Sequence, residues 1–138
     1  MFTHQCLTNI LDFLLDSPDI EVTYHLFKNN VTIDEDTVLA DLTEADFDGY
    51  AALDAVNEPE PTINGSDEAQ SLGEELEWVK TGAPEAVQQI YGVYVTFQNE
   101  VPATKLFAAF NLPAPVAIAV AGNNVKVKVD WYAKNFTP

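Results

Sequence analysis

Apolar and polar residues repeat with two different periods along this chain. Over residues 3–16, leucine and isoleucine recur three and four positions apart, which predicts one amphipathic α-helix that ends before Pro18. After residue 20 the period becomes two, as in β-strands. Segments of this kind predict about seven or eight strands. They are 21–28, 50–56, 75–80, 88–97, 116–121 and 125–132. Residues 105–110 also suit a helix by composition, but their short length and the flanking prolines favour a strand.

The order of these elements predicts a fold class. Short strands separated by turn residues, without alternating helices, favour antiparallel sheets over a parallel α/β sheet. We expect a mainly β protein, an antiparallel β-sandwich (jelly-roll-like) with one N-terminal α-helix. The 138 residues suit a single domain, 1–138, with the sandwich at 21–132 and a long acidic loop at 57–73.

Two segments carry more specific expectations. The strand at 88–97 has apolar residues on both faces around Gly92, which indicates a central position in its sheet. Residues 125–132 alternate strictly between apolar and polar, as a half-buried strand does. The Gly-Asn-Asn sequence at 122–124 predicts a compact hairpin that joins this strand to the one at 116–121.

The charge of the chain is large and uneven. Six lysines and no arginine face 22 acidic residues, for a formal net charge of −16. Binding to nucleic acid or to an anionic membrane is therefore not expected, since both need positive charge. From Asp34 to Glu77 there are 15 acidic residues and no lysine. Val101–Pro138, in contrast, contains four lysines and a single acidic residue, Asp130. This is either a solvated acidic face or a molecule that docks on a partner by its other face.

No catalytic constellation is visible in the sequence. The only histidines are His4 and His25, and nothing in the spacing links either to the single Cys6. Nucleophile-elbow, P-loop and dinucleotide glycine motifs are absent from the sequence. The prediction is that the chain is not an enzyme and that it holds no cofactor.

Calcium is the one metal for which the sequence offers candidates. Two acidic clusters place carboxylates at alternate positions on predicted loops, an arrangement that hard cations favour. The candidate ligands are Asp34, Asp36, Asp46 and Asp48. Neither cluster fits the twelve-residue EF-hand pattern, and the alternative is that these aspartates cap turns and are solvated.

Residues 22–56 carry a resemblance to a known group of proteins. The strand "VTYHLF" leads through Asn29-Asn30 and an acidic connector to "DTVLADLTEADFDGY". Further similar stretches are "IYGVYVT" at 90–96, "KLFAA" at 105–109 and "VAIAVAGNNVKVKV" at 116–129. The chain thereby resembles small structural proteins of tailed bacteriophages. It departs from them at 57–73, where an acidic loop precedes the next aromatic strand.

The resemblance implies a function in the virion. The expected role is a capsid decoration (cement) protein that binds and stabilises the outer surface of the head. The alternative is a tail- or fibre-associated protein with a receptor- or carbohydrate-binding β-sandwich. The implied partners are the major capsid protein or other virion proteins, with a homo-oligomer (trimer or dimer) and synthesis in the host cytoplasm.

Aromatic residues of the C-terminal part are the candidate contact residues. They are Phe107, Phe110, Trp131 and Tyr132. Exposed aromatic side chains in a nearly neutral region would supply an apolar patch for a partner. The alternative is that the core of the sandwich claims most of them.

Overall fold

A computed structural model describes residues 22–54, 61–66, 68–97 and 106–133, without the side chains of Phe97 and Ala133. Within these residues the chain forms seven strands and a short 3₁₀ helix at Leu39–Asp41. The strands are β1 (Val22–Phe27), β2 (Leu53–Asp54), β3 (Thr62–Ile63), β4 (Ala69–Val79), β5 (Gln88–Phe97), β6 (Ala108–Ile118) and β7 (Asn124–Ala133). The helix predicted at 3–16 lies outside the described residues.

The strands form two antiparallel sheets, as predicted. One sheet, here called sheet A, has the order β2-β1-β5-β6, and the other, sheet B, has the order β3-β4-β7. Strand β5 pairs with β1 on one side and with β6 on the other, which confirms its central position. The chain is therefore mainly β.

A shared hydrophobic core joins the two sheets. The inward side chains of β1 are Val22, Tyr24 and Leu26, as the alternation predicts, and all three are buried. They pack in one cluster with residues from the other strands, which are Trp78, Ile90, Val93, Val95, Ile118, Val125 and Val129. A hydrogen bond also crosses the core, from Trp131 Nε1 to the Tyr24 hydroxyl at 3.2 Å.

Strand β6 differs from the prediction. The sequence suggests two strands, 105–110 and 116–121, interrupted by prolines, but the structure has one strand at Ala108–Ile118. The prolines are accommodated because the register shifts: four residues of β6, 112–115, lie opposite the single residue Tyr91 of β5. Since β6 is an edge strand, its missing N–H groups interrupt no ladder on the far side.

The predicted hairpin between 116–121 and 125–132 is wrong. Strand β6 pairs with β5 and β7 pairs with β4, so the turn at 122–124 connects the two sheets. Gly122 has a positive φ of 89° there. The turn is held by the end of β4, because Lys80 N–H donates to Asn123 O at 2.8 Å and Gly122 N–H donates to Lys80 O at 3.0 Å. Such a long-range anchor has no local sequence signal.

Two other bounds differ from expectation. Strand β4 begins at Ala69, so residues 69–73 of the expected acidic loop belong to a strand, and β3 lies within the same stretch. Gly73 is a residue typical of loops, but pairing with β7 buries Ser71, and the register shift between Leu72 and Glu75 accommodates the glycine within the strand. Within the described residues 50–54 of the expected strand at 50–56, only Leu53–Asp54 forms a strand, β2.

Candidate functional site

One flank of the sandwich gathers three of the four candidate contact residues. The Trp131 ring lies 5.4 Å from the ring of Phe107 and 6.1 Å from that of Phe110, measured between centroids. Phe107 and Trp131 are half-buried against the core, whereas Phe110 is 41% exposed. Two of the three residues therefore pack against the core, which agrees in part with the alternative that the core takes up most of these aromatic residues. Phe110 remains at the surface.

A cleft of about 290 Å³ opens beside this cluster, between β6 and β7. Its floor includes Val93 of β5, and its walls come from both edge strands. The wall residues are Phe110, Asn111, Leu112 and Pro113 of β6 with Val127, Lys128, Val129 and Asp130 of β7. The cleft is mainly apolar and carries one pair of opposite charges at its β7 wall.

Tyr132 is not part of this cluster. It lies on the outer face of sheet B, opposite Gln70 of β4, and is 53% exposed. Most of that face is charged: Lys126 Nζ lies 3.2 Å from Glu75 Oε1 and 3.7 Å from Glu77 Oε1. These carboxylates raise the pKa of Lys126, with Glu75 the larger cause. Apart from Tyr132 and its neighbours, this is a solvated mixed-charge surface.

The acidic part of the sequence and the part with few charges lie on different elements of the fold. Strand β6 contains no charged residue, and β7 contains only Lys126, Lys128 and Asp130. The segment 34–54, here called the acidic segment, contains eight acidic residues and no lysine. It begins beside β6, where Ile33 N–H donates to Asn111 Oδ1, crosses the outer face of sheet A, where Glu44 meets His25, and ends in β2 at the other edge of that sheet. We call the side formed by β6 and β7 the neutral flank.

The calcium candidates have other partners. Asp34 Oδ1 accepts hydrogen bonds from Asp36 N–H and from the Thr37 hydroxyl, a local turn motif. Asp46 Oδ1 lies 2.6 Å from Lys28 Nζ and accepts a hydrogen bond from Gln88 Nε2. In the described part of the chain, no three histidine, cysteine, aspartate or glutamate residues are grouped as a metal site requires.

A polar cluster on the outer face of sheet A was not foreseen. His25 Nδ1 lies 2.8 Å from Glu44 Oε1, and His25 Nε2 lies 2.9 Å from the Thr96 hydroxyl. The His25 ring also stacks on Tyr94, with centroids 4.5 Å apart and planes 7° from parallel. The hydrogen bond with His25 is the main reason that the pKa of Glu44 is lowered, and the Tyr50 hydroxyl, which donates to Glu44 Oε1, adds to it.

The order hydroxyl, imidazole, carboxylate in this cluster is that of a nucleophilic triad. A nucleophile must reach its substrate, however, and Thr96 is only 2% exposed. The Tyr50 hydroxyl also accepts a hydrogen bond from Leu26 N–H, which ties the segment to β1. Burial raises the pKa of Tyr50 and of Tyr94, so both stay protonated donors. The cluster therefore serves as a link between sheet A and the segment that carries Glu44.

Lys80 is a second buried polar group. Its side chain is fully buried, and Nζ donates to the carbonyl oxygens of Thr81 at 2.7 Å and Ala83 at 3.0 Å. Nζ also lies 2.9 Å from Glu85 Oε1. The 81–85 turn thus wraps around one ammonium group. A lysine in phase with the inward residues Leu76 and Trp78 is the sequence signal that indicates this burial.

Comparison with known proteins gives no relative. No protein-family model, no curated protein and no solved structure matches the chain. In the described residues, no helix is long and apolar enough to cross a membrane.

Proposed function

We propose that this chain is a bacteriophage virion structural protein, a capsid decoration protein that binds the outer surface of the head. The observation that carries the proposal is the contrast between the neutral flank and the acidic segment of one sandwich. The neutral flank also holds the exposed Phe110 and the cleft. Aromatic residues with few charges are typical of the centre of protein interfaces.

The charge distribution suits a protein that is made free and then binds a large assembly. A net charge of −16 keeps free copies apart and in solution. Binding through the neutral flank leaves the acidic residues from Glu44 to Asp54 in water, because that part of the acidic segment lies over β1 and in β2. The major capsid protein or another virion protein is the proposed partner, with Phe107, Phe110 and Trp131 at or beside the contact.

The internal links of the sandwich suit a protein that carries load. Asn111, at the neutral flank, donates to Val31 O at 3.0 Å and accepts from Ile33 N–H at 3.3 Å, which ties β6 to the segment after β1. The buried Lys80 fixes the 81–85 turn at one end of the sheets. We further propose the finer fold features, a jelly-roll-like arrangement with an N-terminal helix, and a trimer or dimer on the particle.

A second candidate is a tail- or fibre-associated protein that binds a receptor or carbohydrate. The observation that favours it is Tyr132, which is exposed on the outer face of sheet B beside Gln70 and close to Asp130. An aromatic ring with neighbouring carboxylate and amide groups offers both the stacking surface and the hydrogen bonds that a sugar needs.

Copy number separates the two candidates. Purified phage particles are digested and the chain is quantified by mass spectrometry against the major capsid protein. A decoration protein is present in amounts comparable to the capsid protein, whereas a tail protein is present at a small fraction of it. Absence of the chain from purified particles contradicts both candidates.

A further inference from the structure

The two sheets of the sandwich have unequal widths. Strand β7 lies opposite β5, since Val127 and Val129 line the cleft together with Val93. Strand β4 lies further across, since Trp78 Nε1 donates to the carbonyl oxygen of Ala51, just before β2. Sheet A therefore extends one strand beyond sheet B. Among the described residues, sheet B has no strand beyond β7, and side chains of β7 such as Trp131 are what reach β6.

The cleft occupies the position that a fourth strand of sheet B would fill. The wall that β6 contributes is its inner surface, where Phe110 is exposed and Leu112 is half-buried. Apolar side chains on the inner face of a sandwich are normally covered by the facing sheet. The volume of about 290 Å³ is near the lower end for small-ligand pockets, so it suits a few side chains of an inserted segment.

The exposed edge of β7 can accept another strand. It is ten residues long and contains no proline, and in the described part of the chain β7 pairs only with β4. Among those residues, its outer backbone groups have no partner strand, and an added strand can form a ladder with them. The edge of β6 is less suitable, because Pro113 and Pro115 lack the N–H groups that pairing requires.

Strand β6 extends beyond the edge of sheet B, and this restricts what can pair with β7. If β7 of a second copy paired with it, the second copy's own sheet A would have to occupy the space already taken by β6. A complete sandwich is therefore excluded from this edge, whereas a single extended segment fits beneath β6.

The charges at the edge favour a particular side chain in that segment. Asp130 Oδ1 is buried and has no hydrogen-bond partner among the described residues. In the described part of the chain, Lys128 Nζ lies 3.7 Å from it, which is too far for a hydrogen bond. An arginine or lysine opposite Asp130 would satisfy this oxygen.

We propose that the β6/β7 cleft takes up one extended arm of a partner protein, which pairs with β7 as the fourth strand of sheet B. The arm has apolar residues at alternate positions, facing Val93 and Leu112, and a basic residue opposite Asp130. This main-chain pairing supplies affinity, and the cleft selects the side chains. The identity of the partner, an arm of a shell protein, rests on the proposed function; the strand addition does not.

The test uses a synthetic ten-residue peptide in which valine alternates with polar residues. It carries an arginine opposite Asp130 and a glutamate opposite Lys128 in antiparallel register. Binding to the full chain is measured by fluorescence anisotropy of the labelled peptide and by amide shifts in NMR spectra. We expect saturable binding, with the shifts concentrated in β7 and the inner side of β6, and about tenfold weaker binding when arginine and glutamate are exchanged.

Two variants sharpen the test. Leu112→Trp fills the cleft and should weaken peptide binding by at least about tenfold, whereas Val87→Trp, at a residue 61% exposed in a loop, should not. Asp130→Asn should remove the preference for arginine without enlarging the side chain. Absence of saturable binding, shifts outside the cleft, or unchanged binding by Leu112→Trp would overturn the inference.

The outcomes also separate this inference from the proposed function. Peptide uptake by a chain that is absent from particles would refute the virion role and leave strand addition standing. Presence on particles without peptide uptake would refute strand addition and leave the virion role standing.

Discussion

Replacing Gly92 by alanine should destabilise sheet A at its interior strand, β5. Gly92 lies in β5 between Phe27 of β1 and Asn111 of β6. A Cβ at this position would lie well under 3.0 Å from the carbonyl oxygen of Phe110 and from the ring of Phe27. Because Phe27 is fully buried, its ring has no solvent-filled space into which it can move.

The magnitude follows from what must shift. Overpacking a close-packed site costs about 1–3 kcal/mol, because side chains and backbone must move. Since one of the contacts is with the backbone of β6, moving that strand away also weakens a ladder hydrogen bond worth about 1 kcal/mol. We therefore expect a loss of about 2–4 kcal/mol in the free energy of unfolding, a large part of the stability of a typical domain.

Chemical denaturation followed by circular dichroism and tryptophan fluorescence measures this loss. Trp78 is buried in the core and Trp131 contacts Phe110 of β6, so fluorescence reports on both sheets. Gly65→Ala is the matched control, since its Cβ would meet no atom within 4 Å. If Gly92→Ala changes the stability no more than this control, the close approach of β1, β5 and β6 is refuted.

Three further predictions test other parts of the structure. Glu44→Gln should cost about 1–2 kcal/mol at neutral pH, a value reduced for its partial exposure. Because the folded-state pKa of Glu44 lies below its ordinary value of 4.5, the stability it contributes is complete above that pH and is lost as the pH falls through the folded value. The difference in stability between wild type and Glu44→Gln should therefore disappear in thermal unfolding at acid pH. A difference that persists there contradicts the contribution of the Glu44 hydrogen bonds with His25 and Tyr50. Lys80→Met should cost about 1–3 kcal/mol in the free energy of unfolding, since two carbonyl oxygens lose their charged donor. An unchanged stability in urea denaturation would refute the role of the buried Lys80 ammonium group in holding the 81–85 turn. Chelating calcium should leave the melting midpoint unchanged, because the Asp34 and Asp46 carboxylates already accept hydrogen bonds within the protein and the described residues offer no group of three metal ligands. A drop of several degrees would instead indicate a calcium site.

The strands that the sequence predicts well are those with one clear physical constraint. Val22–Phe27 and Asn124–Ala133 alternate because one face of each is buried, and the inward residues are those that the alternation indicates. The central position of β5 was also predictable, since a strand covered on both sides of Gly92 carries apolar residues on both faces.

Pairing between strands was less predictable, because it depends on contacts far apart in the chain. The turn at 122–124 has hairpin chemistry, yet it docks on the backbone of Lys80 and sends β7 into the other sheet. The prolines at 113 and 115 indicate a break, and only the free edge of β6 allows the strand to continue through them.

The candidate site was predicted in part for the same reasons. Phe107, Phe110 and Trp131 meet at one flank, but alternation alone places Tyr132 on the opposite face of β7 from Trp131, so the four could not form one patch. The cleft itself arises from the unequal number of strands in the two sheets, which no local pattern reveals.

The orientation of the chain on the phage particle tests the central claim most directly. A cryo-electron microscopy map of the particle should show the sandwich repeated over the outer surface of the head, with β6 and β7 against the shell and the acidic segment 34–54 facing water. Sandwich density confined to the tail, or a head contact made through the acidic segment, would contradict the account.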